Sequence, residues 1–402
     1  MSRRVSLMLI VLTLLLAACQ PVATPQATGS QTYTLGIALP YTGDLGTFGT
    51  DFKKGVELAV EQMNTELTAA GSNVQFATAS ADTEGSPDGA AKAVQTIVQT
   101  SGAKVIIGPL TTGEVLGAKQ FADENQVVIV APASSAPSGG IPDDYIFRVM
   151  YPPDTNAAKA FAQIATARGY SNLVVLQVDD PFGNGLVDSF NGNFSTDGEV
   201  SVTKYAKDVA DLSGETTKIS AEITRLSATG KTAFFCICFL GDAQKLLQLA
   251  VTDDVMSSVD WLGVENLVTK DILADPAQAA LLAKVGLTSV SFADRANPNT
   301  QPFKDAFQAK FGSEPGPFTN YAYDAANIAM LSMLAAGNSG PGVQSILPTI
   351  SNHYIGTSVQ AHLDANGDQD VVFYGIFHTN ADGTDFEQIG TFDGATGEVS
   401  FE

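Results

Sequence analysis

Histidine, cysteine and tryptophan are scarce in this chain: three, three and one among 402 residues. The histidines, His353, His362 and His378, show no spacing suited to metal ligation, so no metal site is expected. They also leave few candidates for a general base. With Trp261 as the sole tryptophan, little is available for stacking on sugar faces, which argues against a sugar receptor. Basic side chains are in deficit as well. Lys and Arg number 21 against 43 Asp and Glu, a net charge of −22. So acidic a body is a poor partner for phosphate backbones, and nucleic-acid binding is excluded as a function class. Two of the cysteines, Cys236 and Cys238, sit in FFCICF. Alternate residues of a strand share a face with Cα atoms about 6.6 Å apart, a poor disulfide geometry, so both are expected as buried thiols acting as small hydrophobes.

What is present at the N-terminus speaks of location. Arg3 and Arg4 precede an apolar run from Leu7 to Leu12 and, past Thr13, the stretch LLLAAC. This run is shorter than the roughly 20 residues a membrane span needs, and with its basic start it reads as an export signal over residues 1–18. Leu16-Ala17-Ala18-Cys19 resembles the bacterial lipobox, in which the cysteine is acylated and becomes the mature N-terminus. Several acyl chains on Cys19 would anchor the protein to a membrane. Residues 19–32, with the charge-free QPVATPQATGSQT, read as a flexible tether, and the folded part should begin near Tyr33.

From there the chain alternates strand-like and helix-like segments. TYTLGIAL, NVQFATAS, KVIIGPL and QVVIVAPA are strands, with amphipathic helices such as FKKGVELAVEQMNTEL between them. Strands apolar on both faces and separated by helices imply an α/β fold with covered parallel sheets. A second series follows FRVMYPPD, with NLVVLQVDD, KTAFFCICFL and VDWLGVEN as strands, so two Rossmann-like lobes are expected. IALPYTGDLGTFGTDF and VLQVDDPFGNGLVDSF match each other as strand, loop, Phe-Gly and helix. Both Phe-Gly loops belong beyond the carboxyl ends of strands, at a cleft between the lobes.

Several motifs do not withstand inspection. ATGKT at 228–232 resembles a phosphate loop, but Arg225 stands where the first glycine is required. GNGLVD places Asp188 at the third glycine of a dinucleotide fingerprint. Ser101 and Lys104 have a serine–lysine spacing but lack the companion motifs. LDANGDQD at 363–370 misplaces the glycine of a calcium loop, and a polar hairpin turn explains it better. VVIVAPASSAP raises the question of whether Ser134 or Ser135 attacks a substrate. No Gly-x-Ser-x-Gly elbow surrounds them, so no enzyme activity is expected, and a serine hydrolase stays as the minor alternative.

GIALPYTGDLGTFGTDFKKGVELAVEQMN, IIGPLTTGE, VVIVAPASSAP, YIFRVMYPPD, VDDPFGNGL, WLGVEN and YAYDAANIA occur in this order from Tyr33 almost to the C-terminus. In this the chain resembles the branched-chain amino-acid-binding proteins of bacterial ABC importers, the leucine-binding members of the type I periplasmic binding proteins. The resemblance implies two α/β lobes joined by three crossovers near 151–153, 288–292 and 356–361. It places residues 33–152 and 292–358 in the N-terminal lobe, and 153–291 and 359–402 in the C-terminal lobe. Thr112 would give a hydroxyl and a backbone N–H to the ligand carboxylate. Ser135 would add another N–H, with its hydroxyl turned to the ammonium, which the carbonyl of Ala133 and the carboxylate of Glu265 would also meet. Phe48, Phe182 and Phe239 would surround an aliphatic tail, as phenylalanines where the family often has tyrosines. Ser134 departs from a position where alanine is frequent, and ADPAQAALLAKVG matches only in outline. The implied protein is a monomeric receptor without cofactor, handing an amino acid to ABC permease subunits. A sensory receptor of the same fold, for amino acids, amides or urea, is the alternative.

Overall fold

The computed structural model describes residues 29–292, 297–357 and 360–402. The expected signal segment and Cys19 lie outside the described residues, as do 358 and 359 of the third expected crossover, while 288–292, the second, is described as a strand. Among the described residues no helix is long and apolar enough to cross a membrane.

The chain builds two sheets. The first comprises β1 (Gln31–Leu39), β2 (Val74–Asp82), β3 (Val105–Ile107), β4 (Val128–Val130) and β5 (Ile146–Phe147), interleaved with helices α1 (Gly46–Ala69), α2 (Pro87–Ser101) and α3 (Thr112–Asn125). Its strands run parallel in the order β2-β1-β3-β4-β5. The second begins after α4 (Thr155–Ala167) with β6 (Asn172–Val178), α5 (Pro181–Asn193), β7 (Val200–Tyr205) and α6 (Ser213–Ser227). It continues through β8 (Thr232–Ile237), α7 (Leu240–Ala250), β9 (Asp260–Gly263), α8 (Pro276–Val285) and β10 (Thr288–Phe292). The chain then returns to the first unit as α9 (Thr300–Phe311), α10 (Thr319–Ala336) and α11 (Gly340–Ser351), with α10 packed along α1. It ends in the second sheet as β11 (Phe373–Thr379), β12 (Phe386–Asp393) and β13 (Glu398–Phe401).

Strands β7-β6-β8-β9-β10 are parallel and repeat the order of the first sheet, while β11 to β13 extend it antiparallel. Sequence reading gave the parallel core but not this edge. The reason is visible in β12, where only Gly390 and Phe392 are buried, alternating with half-buried neighbours, whereas β3, β4, β6 and β8 are buried throughout. Strand order reverses direction beside β1 and β3 in one unit and beside β6 and β8 in the other. Crevices at such switch points, beyond the carboxyl ends of the strands, are where open α/β sheets take ligands.

The Phe-Gly pairs correct one expectation. Phe48-Gly49 and Phe182-Gly183 lie inside the first turns of α1 and α5, not in loops. A Cβ on Gly49 would overlap the Pro40 carbonyl, and one on Gly183 the Val178 carbonyl. Each glycine lets a helix start directly against the end of the preceding strand, which pushes the adjacent phenylalanine toward the crevice. A second correction concerns FFCICF. Cys236 and Cys238 are joined as a disulfide with Cα atoms 5.5 Å apart. β8 ends at Ile237, so Cys238 has left the extended strand on which the longer spacing was based.

Two outcomes test this account. Gly49→Ala should lower stability by about 1–3 kcal/mol in thermal unfolding, because backbone must move to admit one methyl group. Asp324 supplies the second. Its buried carboxylate accepts from the Thr357 N–H and hydroxyl and from the Tyr354 hydroxyl, each at 2.8 Å. Burial nevertheless raises it from 3.8 to about 7. An acid raised on folding favours the native state below its unfolded pKa, and that contribution disappears as pH climbs through the folded value. Stability should therefore fall between about pH 4 and 7, and Asp324→Asn should flatten that slope in melting curves taken across the range.

Candidate functional site

The two switch points face each other across one cavity. Thr112, Ala133, Ser135, Glu265, Phe48, Phe182 and Phe239 all line it, with Tyr151, Asn266 and Phe318 among the further walls. It encloses about 580 Å³, open solvent at its mouth included. Every residue singled out from sequence for ligand contact is thus brought to one place.

On the first unit the site begins with Gly108, at φ +93° and directly against the Ala38 carbonyl, where any Cβ would overlap. The chain turns there and starts α3 through a capping box. Thr111 Oγ1 accepts from the Glu114 N–H at 3.3 Å, while Glu114 Oε2 accepts from Thr111 N at 2.9 Å and Oγ1 at 2.7 Å. Burial raises the Glu114 carboxyl, and hydrogen bonds from Thr83 and Thr111 oppose that. Thr112 is the first residue of α3, so its N–H has no acceptor within the helix and lies at the positive end of the helix dipole. Its hydroxyl is already engaged, accepting from the Ala136 N–H at 3.0 Å and bonding the Ser134 hydroxyl at 2.9 Å. Ser134, the residue that departs from the family pattern, therefore holds Thr112. Ser135 donates its hydroxyl to Asp154 Oδ2 at 2.8 Å, and its carbonyl accepts from the Asp154 N–H at the same distance. Neither serine has a histidine partner among the described hydrogen bonds, so neither is set up as a nucleophile.

Glu265 opens a short 3-10 turn past β9 and is buried. Its Oε1 accepts a hydrogen bond from the Tyr151 hydroxyl. Burial raises the Glu265 carboxyl despite that bond. Asp154 is raised further, first by burial and then by the negative charge of Glu265. Neither acid forms an ion pair among the described residues, and Asp154 Oδ1 and Glu265 Oε2 have no hydrogen-bond partner. Glu265 thus lines the cavity itself, and Asp154 stands behind Ser135. Around them the walls are apolar. Phe182 and Phe239 stack with centroids 5.6 Å apart, and Phe318 meets Tyr151 edge-on at 5.7 Å. Phe318 takes φ +60°, a left-handed conformation that a bulky side chain adopts only at a cost of about 1–2 kcal/mol.

Contacts also cross directly between the units. Lys245 Nζ on α7 donates to Asp44 Oδ2 at 2.8 Å, and Lys207 donates to the Gly85 carbonyl while its ammonium lies 5.5 Å from the Phe239 ring centre. The lobes are therefore closed on one another.

A sequence model of the family described as periplasmic binding protein matches residues 32–367. The chain belongs to that family. Its members are binding proteins, and this one is a binding protein and not an enzyme, located outside the cytoplasm. An uncharacterised protein of Methanocaldococcus jannaschii is 24% identical, with 92% of this chain and 91% of that protein covered. The Leu/Ile/Val-binding protein BraC3 of Rhizobium johnstonii is 26% identical, and the match covers 47% of this chain and about half, 52%, of that relative. Among solved structures, the branched-chain amino-acid substrate-binding protein LivJ of Streptococcus pneumoniae, in complex with isoleucine, superposes with a TM-score of 0.74 at 19% identity. That superposition covers 92% of this periplasmic binding protein and all of LivJ, and it supports a two-lobe α/β fold.

Sequence reasoning missed Tyr151, Asn266 and Phe318 as parts of the cavity, and Asp154 as the buried acid behind Ser135. An acid directly after Tyr-Pro-Pro was a usable signal for Asp154, since it follows the buried IFRVMY run. Nothing local marks Phe318. An ammonium held against Glu265 would favour its ionised form, so wherever the raised carboxyl is still protonated, binding releases protons and strengthens as pH rises. Calorimetry of leucine binding in two buffers of different ionisation heat should show a buffer-dependent enthalpy; identical heats would contradict it.

Proposed function

We propose that this protein is an extracytoplasmic substrate-binding lipoprotein of an ABC importer, closing on a branched-chain or similarly apolar amino acid and presenting it to membrane permease subunits. The observation that carries this reading is buried Glu265, with no ion pair among the described residues, lining a largely apolar cavity together with Thr112 at a helix start and Ser135 backed by a second buried acid, Asp154. An α-ammonium supplies the missing positive charge for Glu265 and Asp154, with the Ala133 carbonyl beside it. The carboxylate faces the Thr112 N–H at the start of α3, a favourable place for an anion, and the Ser135 N–H beyond β4. The tail then lies among Phe48, Phe182 and Phe239. An acid lacking an ammonium would instead leave a third negative charge out of water.

The lobes in this reading comprise residues 33–152 with 292–358, and 153–291 with 359–402. Because Thr112 and Ser135 sit on one and Glu265 on the other, the ligand bridges them, and only the closed form makes both sets of contacts. The lipid on Cys19 would keep the receptor at the membrane as a monomer.

A thermal-shift screen of the twenty amino acids, urea, short amides and benzoate tests the ligand class. Leucine, isoleucine or valine at a hundredfold over its dissociation constant should add about 2.7 kcal/mol. A response confined to benzoate or an amide would overturn the amino-acid assignment. Glu265→Gln should weaken binding by about 2–4 kcal/mol, through loss of the charged partner of the ammonium.

A further inference from the structure

LDANGDQD, a polar turn when read from sequence, packs on the side chain of Arg148, which is fully buried. The guanidinium forks onto Asp368, Nε to Oδ1 and Nη2 to Oδ2, each at 2.5 Å. Its remaining nitrogen, Nη1, donates to the Ala136 carbonyl at 2.6 Å and, more distantly, to the Ser134 carbonyl at 3.4 Å. Those two carbonyls flank Ser135. The backbone repeats the connection: Arg148 N donates to the Gly367 carbonyl at 2.8 Å, and Gln369 N to the Arg148 carbonyl at 2.9 Å. Gly139 and Gly140 wrap the pair closely enough that a Cβ on Gly140 would overlap Asp368 Oδ2.

The position of this ion pair matters. Arg148 lies where the chain leaves the first sheet after β5, and Asp368 where it approaches the second sheet before β11. One guanidinium therefore joins two inter-lobe passages to each other and to the loop that carries Ser135. We propose that Arg148 and Asp368 are positioning residues for the cavity: they fix the Ser134 and Ala136 carbonyls against the crossovers, and so aim Ser135 at the ligand. Stability alone is a poor account of such a pair, since apolar replacement of a buried ion pair is often neutral or stabilising. An apolar pair cannot hold two carbonyls.

The experiment uses the mature chain carrying Arg148→Met with Asp368→Leu. The variant should melt close to the wild type, yet bind leucine about tenfold or more weakly, with faster dissociation. In the ligand-free protein, amide hydrogen exchange over 131–140 should accelerate while α10 stays protected. A folded variant with unchanged exchange at 131–140 and unchanged leucine affinity overturns the proposal. The affinity arm rests on the amino-acid reading of the cavity, and the exchange arm does not. If the wild type ignores leucine, that reading fails and exchange alone decides. If the double variant does not fold, Asp368→Asn replaces it, and unchanged exchange over 131–140 is again the overturning result.

Discussion

Two buried carboxylates that form no ion pair among the described residues set the terms for this protein. Asp154 and Glu265 each keep an unpartnered oxygen, and each raises the cost of ionising the other. An isolated charge in such surroundings is expensive, and a site that contains two is stable only with protons or with a bound cation. The acids come from different parts of the chain, Asp154 from the first passage between sheets and Glu265 from the end of β9, where it lines the cavity. Ser135, on the other side of the cavity from Glu265, ties Asp154 to the first unit through its hydroxyl.

The rest of the architecture serves that meeting. Parallel strands end together, so helix N-termini and strand carbonyls converge at the same edge of each sheet. Glycines at 49 and 183 bring helix starts against strand ends and turn phenylalanines inward. Contacts such as Lys245–Asp44 are partly exposed ion pairs, of the kind worth at most about 1 kcal/mol, so they trim the closed form without deciding it. Differential contact with a ligand is a larger lever on the same equilibrium.

Much of the fold was legible locally. Apolar runs such as NLVVLQV and VVIV fix buried strands by pattern alone, and the two Phe-Gly pairs announced a repeated unit. The antiparallel edge was not legible, because short alternating strands joined by turns resemble loops until they pair with β10. The Cys236–Cys238 disulfide was misjudged because an ideal strand was assumed one residue too far.

By itself the sequence determined the alternation of strands and helices, the acidic body, and the residue types at each strand end, since these depend on neighbours within a few positions. Only tertiary structure decided that the Ser135 hydroxyl is turned onto Asp154, that Ser134 holds Thr112, and that Arg148 reaches Asp368 across 220 positions. Those choices arise from burial, which forces each polar group to find whichever partner packing brings within reach, however distant in the chain.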